Sequence, residues 1–377
     1  MLEIKDNNVV EEPVRVAQIM GKLWAGGVET VVFNYYRAID KSKIQFDFYY
    51  DADSTVEPPR DLIEMGAKFI KIPPYQDLFK YLTVLCSYFK NNNYAIVHSH
   101  INTLSVFPLL AARMAGIPNR IAHNHSVPGG SEIKRNILKY MLRSFSTLNA
   151  TSYFACSEKA GRWMFGNSKY EQGKVFIMKN AIDFSKFADK DGTVTRQMRT
   201  ELGVLDQFVV GHVGRFTYAK NHAFLLDAFL EVLKQKEDSK LLLVGDGELH
   251  DAIIDKIMHL GIGNKVIMVG KVSNPEKYYL AMDVLMLPSV YEGLSMTTIE
   301  AQAAKRNILI SHAVPKEAII SNGCHYMDYA ADAKAWADKA IEVAREDIQY
   351  TEAKNDYEIN DAAETLMKKY LNVLKTK

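Results

Sequence analysis

Residues 283–311 read "DVLMLPSVYEGLSMTTIEAQAAKRNILIS". Short apolar runs at 283–287 and 307–311 enclose a longer stretch of helical character, so the segment reads as strand, helix, strand. Repeated, that unit builds a parallel sheet with helices on both faces. Pro288 closes the first run, and two acids follow, Glu292 and Glu300, with seven residues between them. A helix's first turn favours acids because its unpaired N–H groups carry partial positive charge. That accounts for Glu292 only. Glu300 sits about two turns further on, and its neighbours "TTI" and "AQAA" read as packed rather than solvated.

Outward from this unit the alternation fills the chain. The second half also carries "FVVGHVG" (208–214), "KLLLVG" (240–245) and "KVIMVG" (265–270). The first half carries "VRVAQIM" (14–20), "FDFYY" (46–50), "KFIKI" (68–72), "YAIVH" (94–98), "RIAHN" (120–124), "YFACS" (153–157) and "KVFIM" (174–178). Segments with helical spacing, such as "DLFKYLTVLCSYFK" and "TLSVFPLLAARMAG", lie between them. A polar, charged stretch from Phe187 to Asp206 separates the two series. The fold class is α/β, with two doubly wound, Rossmann-like domains, 1–185 and 186–356.

A length of 377 residues with 48% hydrophobic and 24% charged residues fits a soluble globular enzyme of two ordinary domains. The net charge of +1 gives no whole-protein field for nucleic acid, so an anionic partner must be met locally. The three cysteines, Cys86, Cys156 and Cys324, show neither pairing nor ligand spacing, which points to a reducing compartment. The opening "MLEIKDNNVVEEP" lacks the apolar core of a signal peptide. No apolar run approaches the ~18 residues of a membrane span. The expected location is the cytoplasm.

Ligands of doubly wound sheets bind beyond the carboxyl ends of the strands, and with two domains the cleft between them is the expected site. After the first strand, Gly26 and Gly27 precede a helical pattern, where bare amides can meet an anion; a tight turn is the simpler account of a lone Gly-Gly. After the first strand of the second half, Arg215 and Lys220 stand five positions apart before a helix, a spacing suited to a diphosphate or to ordinary surface charge. Gly245 and Gly247 in "VGDGE" are one glycine short of a dinucleotide fingerprint and read as a turn. The amides of Gly293, Leu294, Ser295 and Met296 open the next helix and can bind phosphate oxygens. Glu300, an acceptor-only carboxylate, suits two vicinal ribose hydroxyls, and Glu292 a second sugar.

These residues resemble the retaining glycosyltransferases of family 4, which have two facing Rossmann-like domains, the GT-B fold. The likeness rests on "GGVE", "RIAHNHS", "GRFTYAKN", "VGDGE" and "YYLAMDVLMLPSVYEGLSMTTIEAQA", in that order along nearly the whole chain. It is closest to the bacterial enzymes that build exopolysaccharide and capsule. The resemblance implies that Arg215 and Lys220 bind the donor diphosphate, Glu300 the ribose and Glu292 the donor sugar, with Lys271 and Val272 near the base. It places His125 at the reaction centre, against the donor sugar, with His123 as the fallback and His100 beside them. It makes the first domain the acceptor domain and the second the donor domain, with 357–377 packing back on the first. Ser295 stands where relatives often have Pro or Gly, and Lys305 where many have Gly.

The pairs "HSH" (98–100) and "HNH" (123–125) put two imidazoles on one side of a strand end, a spacing that could ligate a metal. No carboxylate or cysteine accompanies them nearby. The expectation is therefore no metal and no cofactor, the nucleotide sugar being substrate. The segment "IKRNILKYMLRSFSTL" (133–148) has Ile133, Ile137, Leu138, Met141, Leu142 and Phe145 on one side and Arg135, Lys139 and Arg143 on another. A core-packed helix with a solvated basic face is the favoured account. The functional one is a peripheral contact with anionic lipid at the inner face of the membrane.

The expected activity is transfer of a hexose or N-acetylhexosamine from a nucleotide sugar, a UDP-sugar first, to a glycan or polyprenyl-diphosphate-linked acceptor with retention, in cell-surface polysaccharide synthesis. A UDP-N-acetylhexosamine epimerase of the same architecture and a non-catalytic sugar-nucleotide-binding subunit are the alternatives. The first should consume donor without acceptor and lacks an evident acidic catalytic set. The second conflicts with an intact Glu292, Glu300, Arg215, Lys220 and His125 set.

Overall fold

The computed structural model describes residues 12–24, 27–126, 133–272, 274–328, 331–351 and 354–375. The chain divides between Ala181 and Ile182 and again between Glu358 and Ile359, so its last helix belongs with the first domain.

The first domain is built on a seven-stranded parallel sheet in the order β3-β2-β1-β4-β5-β6-β7. Its strands are β1 (Val14–Gly21), β2 (Ile44–Asp51), β3 (Lys68–Ile72), β4 (Ile96–Ser99), β5 (Asn119–Asn124), β6 (Ser152–Ala155) and β7 (Val175–Ile177). Strand residues alternate between the two faces. On β2, Phe46, Phe48 and Tyr50 face one core, with Tyr35 and Tyr36 of the Gly27–Ala38 helix and Leu366 and Tyr370 of the Ile359–Lys375 helix. Tyr49 faces the other, with Tyr81, Leu85 and Phe89 of the Leu78–Asn92 helix. Both faces are covered, which is why β2 is buried along its whole length.

The second domain repeats the plan with six parallel strands ordered β10-β9-β8-β11-β12-β13. They are β8 (Phe208–Val213), β9 (Ser239–Val244), β10 (Val266–Gly270), β11 (Val284–Leu287), β12 (Asn307–Ser311) and β13 (Cys324–Met327). Leu242 and Val244 of β9 enter one core while Leu241 and Leu243 enter the other. The last strand, "CHYM", was invisible to the apolar pattern: it is an edge strand of partly buried residues without β-branched side chains. In each sheet the winding reverses between the first and fourth strands, at β1/β4 and at β8/β11.

One expectation is corrected. The segment 133–148 forms a helix over Ile133–Arg143 followed by turns, but its apolar side is not packed in the core. Ile137, Leu138, Met141 and Phe145 are 46 to 63% exposed, as are Tyr140 at 55% and Leu148 at 64%. The helix is anchored through its flank: Tyr140 meets the Trp163 ring edge-on and the Arg143 guanidinium lies over it. Periodicity shows that a helix has an apolar side and not what covers it.

Candidate active-site residues

At the β8/β11 switch point of the second domain, two loops are tied together by the Val290 N–H, which donates to the Ala219 carbonyl at 2.8 Å. The loop after β8 is held by Phe216, fully buried, whose backbone N–H donates to the Asp246 carbonyl. The two glycines of "VGDGE" make this possible: a Cβ on Gly245 would lie 2.0 Å from the Gly214 carbonyl oxygen, and one on Gly247 2.5 Å from that of Phe216. Their role is close backbone packing. That packing fixes the loop on which Arg215, exposed, and Lys220, half-buried, are carried.

Lys220 Nζ donates to Glu292 Oε1 at 2.6 Å, and Ser289 Oγ donates to the same oxygen at 2.7 Å. The lysine and glutamate side chains are 16% and 9% exposed. Four residues on, the Met296–Ala303 helix begins with Ser295 as its N-cap, whose Oγ accepts from the Thr298 N–H. Thr297 Oγ1 donates to the Val213 carbonyl and pins this helix start to the end of β8. The remaining first-turn amides have no intrahelical partner by construction, a feature of helix starts that suits an anion.

Glu300 lies on the same helix and accepts a 2.7 Å hydrogen bond from the hydroxyl of Tyr279, which is fully buried. Burial pushes the Glu300 carboxyl above its ordinary pKa, against the hydrogen bond from Tyr279. Lys271 is exposed after β10, and Val272 packs against the core. Two further histidines lie behind this site. His212 Nδ1 bonds the Met286 carbonyl at 2.9 Å, and burial holds both His212 and His222 neutral, the latter lowered to about 4.

In the first domain Gly26 lies outside the described residues, and Gly27 starts the Gly27–Ala38 helix with open space where a Cβ would be. Glu29 in its first turn accepts from the Trp24 N–H at 2.7 Å and so holds the loop after β1. At the carboxyl ends of β4 and β5 the four rings of His98, His100, His123 and His125 gather: His98 and His100 have centroids 4.1 Å apart, and His123 and His125 are stacked at 3.9 Å. His98, His100 and His123 are buried, and His125 is partly exposed. Burial lowers all four, His125 to about 3, so all are neutral imidazoles at pH 7. Ring nitrogens of His98, His100 and His123 lie within 4.8 Å of one another, a spacing a metal ion could use. Side-chain contacts already engage both nitrogens of His98 and His100 and Nδ1 of His123. The backbone N–H of His125 donates to Asn102 Oδ1 at 2.7 Å, which orients the strand end.

Ser289, Tyr279, Gln18 and Tyr370 were not singled out from the sequence. Ser289 lies three residues before Glu292 and could have been found; Gln18 is the polar residue of the buried stretch Val16–Gly21 of β1. Tyr279 and Tyr370 carry no local signal. A cavity of about 500 Å³ lined by Arg199, Phe208, Lys236, Asp238, Asp283 and Arg345 lies at the opposite, amino-terminal end of β8 and β11, away from these residues.

Residues 25–186 match the family described as Glycosyltransferase Family 4, and residues 207–346 that described as Glycosyl transferases group 1. The chain is 30% identical over 369 residues to the provisionally named glycosyltransferase EpsF of Bacillus subtilis (strain 168), covering 94% of this chain and 96% of that one. It is 25% identical to the UDP-Gal:alpha-D-GlcNAc-diphosphoundecaprenol alpha-1,3-galactosyltransferase of Escherichia coli over 64% of each chain. Among solved structures, Anabaena HepE in complex with UDP superposes with a TM-score of 0.72 at 16% identity, covering 97% of this chain and all of that one. That likeness speaks to the fold.

Proposed function

Because the chain belongs to the family 4 glycosyltransferases and has their GT-B fold, we propose that it transfers a hexose or N-acetylhexosamine from a UDP-sugar to a lipid-linked glycan, with retention, during surface-polysaccharide synthesis. The observation that carries the reading is the β8/β11 switch point, where Lys220 pairs with Glu292 just before the helix whose first-turn amides and Glu300 lie on one element. Glu300 receives the ribose, Lys271 and Val272 flank the base, and Glu292 takes donor sugar hydroxyls. Arg215, Lys220 and the amides of Gly293 to Met296 take the charge that develops on the departing diphosphate, a role assigned to them rather than to a divalent cation.

The anomeric C–O bond to the diphosphate breaks, an acceptor oxygen bonds the same face of the oxocarbenium-like sugar, and the acceptor's proton leaves with the diphosphate. To His125 of the first domain we assign a hydrogen bond with a substrate hydroxyl. The acceptor assignment is supported by the diphosphoundecaprenol-linked substrate in the name of the Escherichia coli relative. It agrees with the exposed apolar side chains of the Ile133–Arg143 helix, whose sequence is basic and which we assign to an anionic membrane surface. No described helix is long and apolar enough to cross a membrane.

Thermal unfolding with UDP, GDP, ADP and CMP tests the donor site. At ~100 times its dissociation constant a ligand adds about 2.7 kcal/mol to stability. A shift with UDP alone, lost in Glu300→Ala, is expected; no shift with any nucleotide sinks the proposal. An inverted anomer in the NMR spectrum of the product would overturn retention.

A further inference from the structure

The four histidines of the first domain form two arms that meet at one amide. Gln18 of β1 is fully buried, with Oε1 2.8 Å from His100 Nε2 and Nε2 3.2 Å from the Tyr370 hydroxyl. On one arm the Tyr370 hydroxyl is 2.6 Å from His98 Nδ1, and His98 Nε2 is 3.1 Å from His123 Nδ1. On the other, His100 Nδ1 is 3.0 Å from His125 Nε2.

A neutral imidazole has one N–H and one lone pair, so each contact needs one donor and one acceptor. The amide oxygen of Gln18 can only accept. His100 must then carry its proton on Nε2, its Nδ1 must accept, and His125 must also carry its proton on Nε2. The amide nitrogen of Gln18 can only donate, so the Tyr370 oxygen accepts from it and gives its own proton to His98 Nδ1. The 2.6 Å separation belongs to the O–H donor range rather than the longer N–H range. His98 therefore holds its proton on Nε2 and passes that hydrogen bond to His123 Nδ1, which leaves His123 protonated on Nε2 as well. Turning the amide over would reverse every step and move all four protons to Nδ1. The tautomers thus form one coupled state.

We propose that Gln18 is a positioning residue that locks His98, His100, His123 and His125 in the Nε2–H tautomer, so that His125 offers Nδ1 as a hydrogen-bond acceptor to a substrate hydroxyl. The identity of that hydroxyl's molecule rests on the function proposed above; the tautomer assignment does not.

Long-range proton–nitrogen NMR of the full chain labelled at histidine reads each ring directly. Four Nε2–H patterns are expected in the unsubstituted protein; an Nδ1–H ring or an averaged signal among the four overturns the assignment without any variant being made. Tyr370→Phe cuts one arm only, so His98 and His123 should lose their fixed tautomer while His100 and His125 keep theirs. Gln18→Met should release both arms, lower kcat about tenfold, the worth of one hydrogen bond, and leave the donor KM and the UDP-induced thermal shift in place. Unchanged tautomers or an unchanged kcat in Gln18→Met reject the positioning role. If the unsubstituted protein shows the four Nε2–H patterns but no shift with UDP, the functional reading fails and the tautomer lock stands.

Discussion

The ion pair between Lys220 and Glu292 shows what the proposed donor site costs in stability. Both side chains are largely shielded from water, and among the described residues Lys220 and Ser289 are the side-chain partners of the carboxylate at Oε1. Removing one partner of a shielded pair leaves the other charge uncompensated, which destabilises more than removing both. Lys220→Met should lower the free energy of urea unfolding by about 2 kcal/mol, and adding Glu292→Gln should restore more than half of it. Strictly additive losses would show that the pair does not couple. Both glutamates could be found from sequence because they share a loop and helix with a family spacing. Tyr279, which holds Glu300, could not, because it meets it across 21 residues of chain and one tertiary contact.

At the scale of elements, the Met296–Ala303 helix accounts for both departures from the family pattern. Ser295 serves as an N-cap, and Lys305 takes the left-handed conformation, φ +52°, that closes the helix. The Lys305 N–H donates to the Gln302 carbonyl and the Arg306 N–H to that of Ala301, the pairing usually completed by glycine. The alternation of strands was legible to within a few residues because parallel strands buried on both faces read as continuous apolar runs. The outer side of the Ile133–Arg143 helix was not, since an apolar stripe is the same whether protein or lipid covers it. The segment 133–148 holds four basic residues and no acidic one. Ile137 and Met141 are 56% and 63% exposed, so Ile137→Asp with Met141→Asp should leave folding intact. The double variant should sediment at least tenfold less with vesicles containing anionic lipid than the unsubstituted chain does. Equal sedimentation of the two proteins would remove the membrane assignment.

For the whole molecule, two similar sheets carry unequal numbers of buried imidazoles. The first domain holds His98, His100, His123 and His125 neutral, and the second His212 and His222. Each has a folded pKa below its unfolded value of about 6.5, so the unfolded chain binds the proton first. The stability each contributes is present above pH 6.5 and is lost as pH falls, at about 1.4 kcal/mol per pH unit. Asp51 opposes this in the first domain: burial pushes it up to about 6, so its contribution is full below its unfolded pKa and is lost as pH rises through 6. In the second domain His325, also lowered by burial, adds to the loss and Glu300, raised by burial, opposes it, so the steeper net slope, on the order of 4 kcal/mol per pH unit, belongs to the first domain. A domain with 5–15 kcal/mol of stability can survive only a few units of such a slope. Trp24 and Trp163 report on the first domain and Trp336 on the second. Tryptophan fluorescence during urea unfolding, followed in the unsubstituted chain and in Trp336→Phe from pH 8 to 5, should show two transitions that separate as pH falls, the histidine-rich domain moving further. A first-domain transition that shifts by no more than one proton's worth per pH unit would mean that these rings are already protonated in the folded protein, and would remove the neutral network on which the tautomer lock depends.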